Sequence, residues 1–398
     1  MLMLKNLQEM LHALLIAWTF RTSFILYLAL KNKAREKKNP YEVRNFTKKS
    51  DITILISVII PAFNEEASIV KTLQSCIDSN YRNREIIVID DGSIDKTRAL
   101  AKAIGDDHPN HRIRVLSTNP NQGKAEALNL GLGHARGEII VTLDADTRFA
   151  NNKALTELIT PLISNPQIKA STANLKIANL IQAICQFQDI EYTKIMQTTK
   201  RAQSETNAIL ILPGAISAFR KEALINIGGF SNETLAEDAD ATMMLLLKGH
   251  HLCFTNKACC ITEAPTSASA FIQQRIRWRI GQWQCLWQHR ALAKHSIATS
   301  FFFLDVVMAN CITAVAPALI IISLWQALQT GDWQPSAWAT GGFIGIDMLI
   351  TALASKLDIS LKPTLRTYIG SLLFFTTISP MITYLSLIKI TTQKKLRW

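Results

Sequence analysis

The chain has 398 residues and a net charge of +12, with 48% hydrophobic and 19% charged residues. Its mean hydropathy is +0.13 and its pI is near 9.4. These figures exclude a disordered or collagen-like chain, and the clustering of the apolar residues argues against a wholly soluble protein. The length predicts two or three domain-sized units. The basic balance fits nucleic acid or basic loops lying against anionic lipid.

The first apolar stretch, Leu11 to Leu30, has one charge, Arg21. No small-residue cleavage site follows it, so it reads as a retained anchor and not a signal peptide. Residues 31–49 then carry eight Lys or Arg. Their place directly after a span fits the positive-inside rule better than nucleic-acid binding, and no nucleic-acid partner is expected. Three more apolar stretches follow: Ser296 to Trp325 with Asp305, Ser336 to Ala354 with Asp347, and the uncharged Thr367 to Ile388. A bilayer core needs about 20 apolar residues in a helix. The alternative, four buried core helices, fits such uniformly apolar runs less well. The basic flanks Lys31–Lys49 and Arg275–Lys294 both put the middle of the chain in the cytoplasm, with the chain spanning the plasma membrane. Four spans would leave Lys394, Lys395 and Arg397 on the far side, against that rule. Either one segment is re-entrant or interfacial, or the tail is an exception.

The middle of the chain alternates strands and helices. Ile54 to Ala62 reads as a strand, Glu66 to Ser79 as a helix, Glu85 to Ile89 as a strand and Asp95 to Ile104 as a helix. Ile113 to Ser117 reads as a strand, Lys124 to Ala135 as a helix and Glu138 to Leu143 as a strand. This pattern predicts an α/β fold with a mostly parallel, doubly wound sheet. Ligands of such sheets sit at the carboxyl ends of the strands. Asn64-Glu65, Asp90-Asp91 and Asp144/Asp146 fall at three of those ends. A single acidic pair there is as easily a cap or turn; three at successive ends predict a pocket. Carboxylates two residues apart, as in Asp144-Ala145-Asp146, can face one cation and suit Mg²⁺ or Mn²⁺. Neither a Walker loop nor G-x-G-x-x-G is present, which disfavours a P-loop NTPase or a dinucleotide dehydrogenase. Lys124 stands at a helix start, where an ammonium and free N–H groups can meet a phosphate; alone, it is equally a surface lysine. The seven cysteines have neither disulfide nor zinc spacing and read as reduced thiols.

Beyond these come Pro213-Gly214 to Arg220, Ala236-Glu237-Asp238 and Gln274-Arg275-Ile276-Arg277-Trp278. With Pro61-Ala62-Phe63-Asn64-Glu65-Glu66, Ile89-Asp90-Asp91-Gly92-Ser93, Asn121-Gln122-Gly123-Lys124-Ala125 and Asp144-Ala145-Asp146, they occur in the order and spacing of family 2 glycosyltransferases. The chain resembles the processive polysaccharide synthases of that family, the poly-N-acetylglucosamine synthases most. Ala236 stands where the family usually has Thr, and one N-terminal span stands where those synthases usually have two.

The resemblance implies a GT-A catalytic domain at 51–270, after an anchor at 1–30 and a basic linker at 31–50. An interfacial helix at 271–295 and a region of about three spans at 296–398 would follow. Asn64, Glu65 and Asp90 or Asp91 would contact the base and ribose of a UDP-sugar. Lys124 would meet base or diphosphate. Asp144 and Asp146 would hold the metal-bound diphosphate, and Asp238 would be the general base. Gly214, Glu237, Gln274 and Trp278 would form the acceptor side, with Arg277 on the departing UDP. Inversion would then build a β-linked extracellular polysaccharide, with UDP-sugar, growing polymer, bilayer and accessory membrane or export subunits as partners. The alternatives are single-sugar transfer to a lipid carrier, which Q-x-x-R-W argues against, and a non-catalytic subunit that binds nucleotide sugar. Taken alone, Glu237-Asp238-Ala239-Asp240 is also an acidic helix start on a positive dipole, and Trp278 also suits an interfacial belt. Leu180 to Gln203 is read as a possible second interfacial helix.

Overall fold

The computed structural model describes residues 2–38, 54–358, 368–370, 372 and 377–392. Among them an eight-stranded sheet has the order β3-β2-β1-β4-β7-β6-β8-β5. Its first half follows the β-branched runs: β1 (Ile56–Ala62), β2 (Arg84–Asp90), β3 (Ile113–Ser117) and β4 (Ile139–Leu143). These four are mutually parallel. Helices α2 (Ile69–Ile77), α3 (Thr97–Asp107) and α4 (Lys124–His134) connect them. Strands β1, β2 and β4 are buried along almost their whole length, as continuous apolar runs in a covered parallel sheet must be.

The second half is mixed. It comprises β5 (Thr147–Phe149), α5 (Ala154–Ser164), β6 (Ile168–Ile177), β7 (Ile216–Arg220), α8 (Lys221–Asn226), α9 (Glu237–Leu247) and β8 (His251–Thr262). Strand β7 is antiparallel to both β4 and β6, while β6 and β8 are parallel. A long helical run joins β6 to β7: α6 (Ala183–Lys194), a π-helical turn (Ile195–Lys200) and α7 (Arg201–Glu205). An antiparallel pair needs no crossover, so this run begins and ends at one edge of the sheet. That edge holds the carboxyl ends of β1, β2, β4, β6 and β8 and the start of β7. Leu180–Gln203 is thus a layer over the site edge, with Gln188, Thr193, Gln197, Lys200 and Arg201 buried in it.

The expected anchor is α1 (Leu2–Lys38). It continues eight residues into the segment expected as a linker; the rest of that segment, 39–50, lies outside the described residues. The basic end of α1 has acidic partners. Arg201 of α7 bonds Glu36 at 2.8 Å and Asn32 at 3.2 Å, and Glu205 faces Arg35 at 3.2 Å. Beyond the domain come α10 (Ala268–Gln288), α11 (Ile297–Thr330), α12 (Gln334–Leu357) and α13 (Ser379–Thr392). Three helical stretches among the described residues are long and apolar enough to cross a membrane: His12–Lys38, Ile297–Thr330 and Ser336–Leu357. The fourth expected span, Thr367 to Ile388, falls partly outside the described residues. Within α13, Ile382 packs on Phe271, Ile276 and Ile280 of α10.

The three charges that interrupt the apolar stretches are paired. Arg21 bonds Asp305, and Asp347 bonds Lys194 at the end of α6. Among the described residues all seven cysteines are free thiols.

Candidate active site

The site edge encloses a cavity of about 880 Å³. Of the residues singled out in the sequence, Glu65, Asp91, Lys124, Asp144, Asp146, Gly214, Glu237, Asp238, Gln274, Arg277 and Trp278 line it. Asn64 and Asp90 are not part of this lining. Asn64 adopts φ 56° and staples two loops: its Oδ1 accepts from Ile94 N–H at 3.0 Å, and its own N–H donates to Ser93 Oγ at 3.0 Å. Asp90 is buried and accepts from Ser93 N–H. Asp91 organises the next loop. It accepts from the Thr118 hydroxyl and from the N–H groups of Gln122 at 2.9 Å and Gly123 at 2.8 Å. That loop delivers Lys124 at the first turn of α4 into the cavity.

Strand β4 ends in Asp144, Ala145 and Asp146. Lys124 Nζ lies 2.5 Å from Asp144 and 3.4 Å from Glu237. Burial opposes the charge on Lys124, but Asp144, Glu237 and Asp238 together hold its ammonium above the usual lysine range. Asp146 is in the opposite condition. Burial pushes its carboxyl up to about 7, and Asp144 and Glu65 add like charge. Such a carboxylate calls for a cation. Among the described residues, no group of three or more His, Cys, Asp and Glu is placed to hold a metal. Asp144 and Asp146 could hold an ion only with its other ligands from water and substrate oxygens, the usual habit of Mg²⁺.

The start of α9 also lines the cavity, beside Lys124. Asp238 Oδ2 accepts from Gly214 N–H at 2.7 Å, and Oδ1 accepts from Ala239 N–H at 2.8 Å. A Cβ on Gly214 would stand 3.2 Å from both Asp238 Oδ2 and Lys124 Nζ. Any side chain there would press both back by a few tenths of an ångström, so the lack of one at Gly214 serves the geometry of Asp238. Glu237 is buried and pushed upward by that burial, against the pull of Lys124. Asp240 turns away and meets His289 at 2.7 Å, tying α9 to the end of α10. The acidic helix start and the site are thus one structure: the first turn meets the positive helix end and aims two of its carboxylates into the cavity. A Cβ on Gly281 would come within 2.7 Å of the Ala236 Cβ. Helix α10 thus crosses the start of α9 at close range, with Ala236 where the family usually has Thr.

Arg275 was read in the sequence only as part of a basic helix. It is 5% exposed, and its guanidinium lies 4.1 Å from the Trp278 ring centroid and 4.8 Å from that of Phe271. It also bonds Glu191 of α6 at 2.6 Å. Tyr192 stands 6.5 Å from Trp278. Trp278 is 39% exposed and so offers part of its ring to the cavity. Glu191, Tyr192, Lys200, Gln203, Arg279 and Gln282, none singled out in the sequence, also line it. The first four of them fall within Leu180 to Gln203, which the sequence showed only as a second helix of interfacial character. The cavity continues to Val306 of α11 and to Ser379 and Ile382 of α13, between the apolar helices.

Residues 57–228 match the model of glycosyl transferase family 2. The chain carries a family 2 glycosyl transferase domain. The domain and its surroundings are similar to poly-β-1,6-N-acetyl-D-glucosamine synthases. One from Staphylococcus epidermidis strain RP62A is 33% identical over 226 residues, covering 57% of this chain and 54% of the relative. Another from Staphylococcus epidermidis is 31% identical over 270 residues, covering 67% and 63%. One from Staphylococcus aureus strain COL is 30% identical over 245 residues, covering 60% and 58%. The chain thus spans somewhat more than half the length of these relatives. A solved mannosyltransferase from Pyrobaculum calidifontis, in complex with GDP-Man and Mn²⁺, superposes on this chain with a TM-score of 0.61 at 21% identity. That match covers 97% of this chain and all of the other, and it shows the shared fold.

Proposed function

We propose that the chain is a membrane-embedded, inverting glycosyltransferase. It transfers sugar, N-acetylglucosamine as the best choice, from a UDP-sugar to a growing β-linked polysaccharide, with its catalytic domain in the cytoplasm. The single observation that carries this reading is that carboxylates from two elements line one cavity around Lys124. Asp144 and Asp146 end β4. Asp238, fixed by Gly214 N–H, opens α9.

The diphosphate of the donor belongs with Asp144 and Asp146, where bound Mg²⁺ or Mn²⁺ supplies positive charge to the departing phosphate oxygens. Asp91, Glu65 and the loop Asn121–Gly123 surround the nucleoside end. Lys124 holds Asp144 and Glu237 in place and brings a second positive charge toward the leaving group. Arg277 adds a third as UDP departs. Asp238 takes the proton of the acceptor hydroxyl as that oxygen attacks the anomeric carbon from the face opposite UDP. A single displacement with inversion follows, so an α-linked donor yields a β-linkage. Trp278, braced by Arg275, stacks on the terminal acceptor sugar. The extension of the cavity to Val306, Ser379 and Ile382 supports repeated addition, because product need not leave through the cytoplasm.

Membranes holding the full chain, incubated with a panel of UDP-sugars and Mg²⁺, test the reading. UDP release with UDP-N-acetylglucosamine and a polymeric product is expected. Release only with another donor would move the sugar assignment, and release with none would overturn the activity.

A further inference from the structure

The helical run over the site edge changes pitch where it faces the cavity. Its six-residue π-helical turn, Ile195–Lys200, stands between two α-helical segments. Such turns are rare and occur frequently at functional sites. Met196, Thr199, Lys200 and Gln203 all line the cavity, and Leu210 and Ile211 line it beside them.

Two of these side chains are polar and almost wholly enclosed. Gln203 is 3% exposed, and its Oε1 is buried with no hydrogen-bond partner. Buried carbonyl oxygens are rarely left so, and each one needs an explanation. Lys200 is 6% exposed, and its ammonium donates to the Ile211 carbonyl. An ammonium has three donors, so this bond does not exhaust it. Burial brings Lys200 down to about 8, with the charge of Asp238 opposing that fall. The wall therefore adjoins the side of the cavity where the acceptor is deprotonated.

We propose that Lys200 and Gln203, with Met196 and Ile211, form a subsite that reads the acetamido group of an acceptor sugar. An acetamido group carries one N–H donor, one carbonyl acceptor and one methyl. Gln203 Oε1 matches the donor, the Lys200 ammonium matches the carbonyl, and the apolar side chains match the methyl. The diphosphate is a poor match, because the lone pairs of Gln203 Oε1 would face its negative oxygens. This inference deepens the proposed function and rests on it for the identity of the acceptor.

The test uses the full chain in lipid nanodiscs. Two acceptors are compared by UDP release: a β-linked N-acetylglucosamine tetrasaccharide and the same compound after de-N-acetylation. The wild-type chain should favour the acetylated acceptor by about tenfold or more in kcat/KM, the scale on which a site with buried polar groups discriminates. The near-isosteric variants Gln203→Met and Lys200→Met should bring that preference close to one, with UDP affinity held within about twofold as the folding control. An unchanged preference in both variants, or none in the wild type, would overturn the subsite. The wild-type chain alone also decides. An N-butyryl tetrasaccharide, too long for the methyl wall, should bind about tenfold worse than the acetyl one, and equal binding would overturn the proposal. If only a donor without an acetamido group is used, the sugar assignment moves by itself, and acceptor preference measured with that donor still judges the subsite.

Discussion

Arg21 of α1 and Asp305 of α11 form an ion pair between two helices that are each apolar enough to cross a bilayer. Asp305 is 4% exposed and Arg21 is largely covered. A lone charge at such a place is costly, and charged residues in membrane segments pair or face an interior. Arg21 is also 4.4 Å from the Trp18 ring. The pair ties α1 to α11.

Breaking this pair from one side should destabilise more than removing it whole. Arg21→Leu or Asp305→Leu should each cost about 3–5 kcal/mol, because the remaining charge is buried without its partner. The double variant Arg21→Leu/Asp305→Leu should recover most of that loss. Thermal unfolding in detergent measures all three. Equal, additive losses would show that the two charges do not depend on each other.

Metal should be required. Chelation with EDTA should abolish transfer, and added Mg²⁺ or Mn²⁺ should restore it. Asp146→Ala should lower activity by at least about 10²-fold, since burial and Asp144 push that carboxylate up to about 7 against the pull of Lys124, and a divalent ion would supply the remaining positive charge. UDP release followed with and without chelator gives the result. Full activity in EDTA would make the Asp144/Asp146 pair structural.

The bracing of Trp278 gives a prediction that separates the two sides of the cavity. Arg275→Lys keeps the charge but loses the planar fork that stacks on Trp278 and reaches Glu191. It should raise acceptor KM by roughly tenfold and change donor KM by less than about twofold. Trp278→Ala should shorten the product more than it weakens donor binding. Arg277→Ala should harm both. Product-length analysis beside donor and acceptor titrations checks the three. A change in donor KM alone would place Arg275 on the wrong wall.

The first half of the sheet was readable because β-branched runs end in polar clusters, and a parallel sheet puts those ends on one edge. Glu65, Asp91, Asp144 and Asp146 were found that way. Strand β7 was not readable as antiparallel: its direction depends on whether the preceding helical run crosses the sheet, which local pattern does not state. Lys200 and Gln203 were missed for the same reason. Helical spacing of apolar residues looks alike in a core, at an interface and over a site. Arg21 stood in the sequence as a lone charge in the first apolar stretch, since its partner lies 284 positions away. Gly214 was found by resemblance, but its service to Asp238 shows only in the fold, as the missing Cβ beside that carboxylate.

The central claim is that Asp238 is the base of glycosyl transfer, and Asp238→Asn tests it most directly. The variant keeps the shape of the side chain and an oxygen for the Gly214 N–H. Turnover of UDP-sugar by the purified full chain, measured beside UDP binding, should fall by about 10²–10⁴-fold, the usual contribution of a general base, while UDP affinity stays within about twofold. Near-normal turnover in that variant would contradict the account.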